Sequence, residues 1–183
     1  MENSIKKIPQ KKSVALLVFL SIITLGIYSI MWYIKRAPEI NNLNTTKKLT
    51  KKIPVTLLIL TILQILIAIF IFVLTIISIF TLSLGSFLAY LVYVLYGISA
   101  IMAILFLVVA FNFHSAINEV LEKKGTKRKL SVVFTIFFNY LYLQYELNRA
   151  IEDREEEKRT GPWIWFGIYM LGIAYNLYNF FLS

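Results

Sequence analysis

The sequence predicts an all-α, polytopic membrane protein, and three observations lead to this fold class. Of the 183 residues, 58% are hydrophobic and 16% are charged, whereas soluble domains average about 45–50% apolar and about 25% charged residues. The charged residues fall into four clusters, at residues 2–12, 35–52, 119–129 and 146–159. Residues 53–118 carry no formal charge, and one spanning helix needs only about 20 such residues.

The composition also limits the classes of function. The chain has no cysteine, which excludes a disulfide framework, a thiolate metal site and a cysteine nucleophile. Its apolar content is too high for a disordered tail. We therefore expect residues 1–183 to form a single integral membrane domain.

The uncharged stretch is too long for one crossing and contains a break. Residues 81–86 read Thr-Leu-Ser-Leu-Gly-Ser, a small polar turn with a glycine. This turn predicts two antiparallel transmembrane helices, over residues 53–80 and 86–113.

Three further segments complete the predicted fold. Residues 163–182 form a third predicted span, which follows Gly161-Pro162 and carries tryptophans at its start. Residues 13–34 and 130–143 are shorter apolar segments, and the second has only 14 residues, a length typical of re-entrant or interfacial segments. Residues 144–160 are predicted to form a charged cytoplasmic helix.

The basic residues distinguish between two topologies. If both shorter segments cross, the protein has five spanning helices, and the 19 Lys and Arg divide into 8 and 11 between the two sides. If both turn back, all 19 lie on one side, as the positive-inside rule favours for short loops. We therefore predict three full transmembrane helices plus two re-entrant or interfacial segments, with the N-terminus cytoplasmic and the C-terminus outside. Five spanning helices are the alternative.

The two shorter segments also resemble each other. Each begins with a serine, Ser13 or Ser131, continues with an aliphatic run and then carries Tyr-x4-Tyr and Arg-Ala. Duplicated half-domains are common in membrane proteins, although aromatic-rich membrane ends also look alike by chance.

Residues 20–43 resemble the opening of a bacterial membrane family known as domain of unknown function 4234. The matching residues are Ser21–Thr24, Gly26, Ile27, Tyr28, Trp32, Tyr33 and Glu39–Asn41. Leu-Gln-Tyr-Glu-Leu-Asn at residues 143–148 is similar to the family's second half, whereas Pro38 departs from its pattern and is expected to bend or break the helix. The resemblance implies a small multi-pass bacterial membrane protein, and it implies no activity.

Catalysis and cofactor binding find no support in the sequence. The predicted spans contain no ionisable side chain of the kind that marks pumps and ion-coupled carriers. His114 is the only histidine, so a His-His zinc pair is excluded and a structural or interfacial role is expected for it. No nucleophile or phosphate-loop motif is present. We predict no catalytic, cofactor or metal site.

Small and polar residues recur along the predicted hairpin. They define a candidate helix-packing or pore face made of Thr61, Gln64, Thr75, Ser78, Gly97 and Ala100. Helices associate in lipid by close packing and by interhelical hydrogen bonds, which such residues supply. We favour a seam between the two helices, and a water-filled path around Gln64 in an oligomer is the alternative.

The basic clusters predict contact with the membrane surface. Candidate contacts for anionic lipids on the cytoplasmic side are Lys47, Lys48, Lys51 and Lys52. Nucleic-acid binding is not expected, because the basic runs flank membrane segments.

Two classes of function remain compatible with the sequence. The first is a non-enzymatic accessory or interaction protein of the bacterial cytoplasmic membrane, for which protection against a membrane-active toxin would be one role. Its partner would be a membrane protein or another copy of the chain. The second is a passive channel or carrier formed by an oligomer around the Gln64 face.

Overall fold

Six α-helices make up the fold of the computed structural model, which describes residues 9–43, 45–81, 85–152 and 160–182. No strand occurs among these residues. The helices are α1 (Val14–Ile23), α2 (Ile27–Asn41), α3 (Lys52–Thr81), α4 (Gly85–Lys123), α5 (Val132–Ile151) and α6 (Thr160–Leu182). The all-α prediction is therefore confirmed.

The segment that forms α1 and α2 turns back on itself. Helix α1 ends in a Schellman motif, in which Gly26 N–H donates to Ser21 O (2.7 Å) and Leu25 N–H donates to Ile22 O (3.2 Å). Leu25 and Gly26 both have positive φ, 50° and 86°. The Arg36 guanidinium donates to the Gln10 carbonyl over 2.6 Å, whereas 26 residues of straight helix would separate these residues by about 39 Å.

Helix α5 is bent in a similar way at Asn139, whose φ of 46° and ψ of −125° are not helical. Ser131 N–H, at the start of α5, donates to the Tyr142 hydroxyl over 2.8 Å. Lys124, which precedes α5, donates to the carbonyl of Ala150 near its end. The two flanks of this segment therefore lie at the same end of the molecule.

Helices α3 and α4 pack side by side over much of their length. Gln64 contacts Ser99, and Ile53 lines the same cavity as Val109 and Phe113, so the two helices are antiparallel as predicted. Helix α4 continues to Lys123, beyond the predicted end at residue 113. Its last turns are amphipathic and belong to the core.

The hydrophobic core lies where α2, α4 and α5 meet. Its members include Trp32, Tyr33, Phe113, Tyr142, Leu143, Leu17, Ile30 and Ile117. The outer parts of α3 and α4 carry exposed apolar side chains instead. The core and the apolar hairpin are thus separate parts of one helical structure.

Two helices among the described residues, rather than the three predicted, are long and apolar enough to cross a membrane. They are α3 and α4, and 11% of each apolar stretch is buried. Helix α6 is less apolar than its predicted role requires, because Asn176, Asn179 and several tyrosines interrupt its second half.

Two further predictions, about Pro38 and about the charged helix, can be compared with the structure. Pro38 lies inside α2, which continues to Asn41, so the expected break does not occur there. Helix α5 ends at Ile151, and the rest of the predicted charged helix, residues 153–159, lies outside the described residues.

Candidate functional site

The charged clusters come together at one end of the molecule, which we call the charged end. It consists of residues 9–13, 41–43, 45–52, 118–130 and 148–152. Asn148 bonds the backbone of Lys12 twice, through its amide nitrogen to the carbonyl (2.7 Å) and through its oxygen to the N–H (3.2 Å). Lys11 pairs with Glu152. These contacts join the start of the chain to the end of α5.

A second set of contacts joins the loop before α3 to the end of α4. The Glu119 carboxylate accepts the Thr46 N–H (2.6 Å) and hydroxyl (3.0 Å), and it pairs with Lys123 at 2.7 Å. The hydrogen bond from Lys123 and those from Thr46 lower the pKa of Glu119 to about 2. The carboxylate therefore stays ionised at any physiological pH and holds the loop to the helix.

A buried polar network lies beneath this surface and is centred on Gln144. The Gln144 side-chain oxygen accepts from Trp32 Nε1 (2.7 Å) and from Arg36 Nε and Nη2 (3.2 and 3.0 Å). Its amide nitrogen donates to Asn148 Oδ1 over 2.6 Å. One glutamine thereby links α2 to both the middle and the end of α5.

Arg36 is completely buried, with an exposed fraction of 0%. Besides Gln144, its guanidinium donates to the Gln10 carbonyl and pairs with Glu39. The pKa of Lys12 is lowered, mainly by burial and to a lesser extent by the positive charge of Arg36. Because a buried charge requires hydrogen-bonding partners, this network fixes the segment before α1 in position against α2 and α5.

His114, the histidine on α4, lies close to α5. It is buried, and its Nδ1 lies 2.8 Å from the Thr135 hydroxyl, which itself donates to the Ser131 carbonyl. No group of three or more metal-ligating side chains occurs in the part of the chain that the structure describes.

The predicted packing face is brought together only in part. Gln64 donates to the Ser99 hydroxyl over 2.7 Å, and Thr61 is buried and donates to the Leu57 carbonyl. Thr75 donates to its own helix at Ile71, and the side chain of Ser78 lies outside the described residues. Gly97 and Ala100 are exposed on α4.

The predicted face does not include the α4 residue that bonds Gln64. Ser99 is the partner of Gln64, and it lies between the predicted Gly97 and Ala100. Its hydroxyl also donates to the Leu95 carbonyl at 2.9 Å. The sequence feature that marks Ser99 is its position inside an apolar run, and several other serines share that feature.

The predicted lipid contacts divide into two pairs. Lys47 and Lys48 line a cavity beside α3 and α4, whereas Lys51 and Lys52 are exposed at the start of α3. The family-motif residues Trp32 and Tyr33 are core residues, and Gly26 and Ile27 lie at the break between α1 and α2. Tyr28 packs against the same core.

These features define an all-helical protein with an apolar helical hairpin and a compact charged end. The chain belongs to the family described as Domain of unknown function (DUF4234), which matches residues 12–119. The match covers α1 through most of α4 and includes the segment that resembles the family opening. The similarity noted at residues 143–148 lies beyond it. Comparison with curated proteins and with solved structures gave no match.

Proposed function

We propose that this protein is a non-enzymatic accessory or interaction protein of the bacterial cytoplasmic membrane. In this proposal α3 and α4 cross the bilayer, while the α1–α2 segment and α5 re-enter and return to the cytoplasmic side. The observation that carries the proposal is the division of the molecule into a charged end and an exposed apolar hairpin.

The geometry of the hairpin supports membrane insertion. Helix α3 has 30 residues, about 45 Å at 1.5 Å per residue, and a bilayer core is about 30 Å thick. Three tyrosines, Tyr90, Tyr93 and Tyr96, are exposed on the first turns of α4. Tyrosine at this level is typical of the membrane–water interface, here at the end of α4 opposite the charged end.

The charged end supports the cytoplasmic assignment. Two contacts join the flanks of each shorter segment, Gln10 with Arg36 and Lys124 with Ala150, and they support an arrangement in which both flanks of each segment lie on one side. Basic residues that lie together on one side favour the cytoplasm.

The Gln64 hydrogen bond favours an interaction protein over a channel. An amide in hydrocarbon must be paired, and Ser99 of the same hairpin supplies the partner at 2.7 Å. Gln64 is thus engaged in the seam between α3 and α4. A pore built on this face would need to separate the two groups or recruit water to them.

Site-specific photo-crosslinking in living cells tests the interaction role. A photoreactive residue at Ile104, which is exposed on α4, should yield one discrete protein adduct, whereas the same probe at the buried Phe113 should yield none. The proposal would be contradicted if the probe formed adducts with lipid alone at Ile104 and also at Ile59 on α3 and Leu171 on α6.

A flux measurement tests the channel alternative. Wild-type protein in sealed liposomes should release no encapsulated small solute and carry no ionic current. A leak that disappears in Gln64→Leu would overturn our assignment and establish the pore.

A further inference from the structure

A cavity of about 140 Å³ lies where the charged end meets the apolar hairpin, and we call it the notch. Its polar lining comes from Lys47, Lys48, Thr50 and Asn112. Its apolar lining comes from Leu49, Ile53, Pro54, Val109 and Phe113. We propose that the notch binds the phosphate headgroup of one anionic phospholipid.

Polar groups of the notch are available to a ligand. Among the described residues, the Lys47 ammonium and the Asn112 amide have neither a hydrogen bond nor an ion pair, and no carboxylate lines the cavity. Lys48 donates one bond, to the Asn41 carbonyl at 3.0 Å, and an ammonium has three donors. Since Asn112 is half-buried on α4, a ligand oxygen would satisfy an amide that otherwise lacks a partner.

The walls of the notch are already fixed in position. The Asn41 side chain holds Leu49 at both backbone groups, donating to its carbonyl (2.9 Å) and accepting from its N–H (2.7 Å). Thr46 is bonded to Glu119 on α4. A binding site whose loop is held at two points loses little entropy when the ligand enters.

The notch has a polar part and an apolar part, and this combination suits an amphiphilic ligand. The lysines and Asn112 supply the polar part of the lining, and Ile53, Val109 and Phe113 supply an apolar part from the hairpin. A phosphate oxygen suits the first group and the start of an acyl chain suits the second. A free phosphate or a nucleic acid would leave the apolar part uncovered.

The charge of the notch selects among phospholipids. Two lysines without a facing carboxylate favour a headgroup of net negative charge over one that adds a choline or ethanolamine cation. This inference rests on the proposed membrane orientation, which would set the notch at headgroup level on the cytoplasmic side. It adds a defined site to the general attraction of basic residues for anionic lipid.

Native mass spectrometry of the detergent-solubilised protein, titrated with phosphatidylglycerol or phosphatidylcholine, tests the site. One phosphatidylglycerol should be retained preferentially. Lys47→Gln should weaken this binding about fivefold, and Asn112→Leu should weaken it by a similar factor. Lys35→Gln is the matched control, because Lys35 is exposed outside the notch, and it should leave binding unchanged.

Three results would overturn the site: equal retention of both lipids, an equal loss in Lys35→Gln, or displacement of the lipid by millimolar inorganic phosphate. Lys47→Arg keeps the charge and should retain binding, which separates lost charge from misfolding. Because affinity is measured in micelles, it is independent of membrane orientation. Failure of the lipid site is therefore distinguishable from failure of the proposed topology.

Discussion

At the scale of single residues, Arg36 shows how this protein keeps a charge inside its core. Its guanidinium is surrounded by Gln144, the Gln10 carbonyl and Glu39. A buried charge is strongly destabilising when one partner is removed, even where the complete network contributes little net stability. Gln144 is the critical partner, because its one oxygen also accepts from Trp32.

Substitution of Gln144 by leucine should therefore destabilise the protein strongly. The change removes the acceptor of Trp32 and of Arg36 and leaves their N–H groups buried. We expect a loss of about 2 to 4 kcal/mol, measured as the unfolding free energy in detergent micelles. Asn176→Leu is the control, since Asn176 is exposed and donates to the Gly172 carbonyl of its own helix. Similar stability of the two variants would show that the Gln144 network is not critical.

Sequence reasoning could not find this network. Arg36 is one of several basic residues beside an apolar segment, where exposure is the usual expectation. Its burial depends on Gln144, 108 positions further along the chain, and no local pattern records that pairing. Trp32 and Tyr33 were singled out as motif residues, and their role as core residues follows from packing against Phe113.

At the scale of elements, the α1–α2 segment and α5 show the same succession of local features. Each begins with a serine N-cap, Ser13 or Ser131, whose hydroxyl accepts a backbone N–H at 3.4 Å. Each is interrupted by a residue of positive φ, Leu25 with Gly26 or Asn139. The repeat noted in the sequence therefore has a structural counterpart. The position of the second turn was not predictable, because Asn139 occupies a conformation that favours glycine.

The α3–α4 seam predicts an unequal response to two substitutions. Ser99→Ala leaves the Gln64 amide without its partner inside an apolar hairpin, so we expect a loss of about 1 to 3 kcal/mol. Gln64→Leu removes the amide itself, while Ser99 keeps its bond to Leu95, and the loss should be smaller. The double variant should resemble Gln64→Leu. Unfolding of the three variants in micelles checks this order, and a Ser99→Ala variant as stable as the wild type would exclude the seam.

At the scale of the whole molecule, charge and hydrophobicity are separated along the helices. The apolar stretches of α3 and α4 leave the core and remain largely exposed, while the described parts of all four charged clusters meet at the opposite end. The composition and the distribution of charge predicted this separation and the α3–α4 hairpin. The sequence prediction overestimated the hydrophobicity of α6. Its tyrosines and tryptophans count as apolar but also carry polar groups, and two asparagines interrupt the segment.

The central claim is that the α1–α2 segment and α5 return to the side from which they start. Because the chain has no cysteine, single cysteines can be placed at exposed positions and treated with a membrane-impermeant thiol reagent in intact cells. The positions are Gln10 and Asn42 on either side of the first segment, Lys127 and Thr160 on either side of α5, and Ser86 at the start of α4. The account predicts that Ser86→Cys reacts at once, whereas the other four variants stay unlabelled until the cells are opened. Labelling of Asn42→Cys from outside would show that the first segment crosses the membrane and would contradict the account.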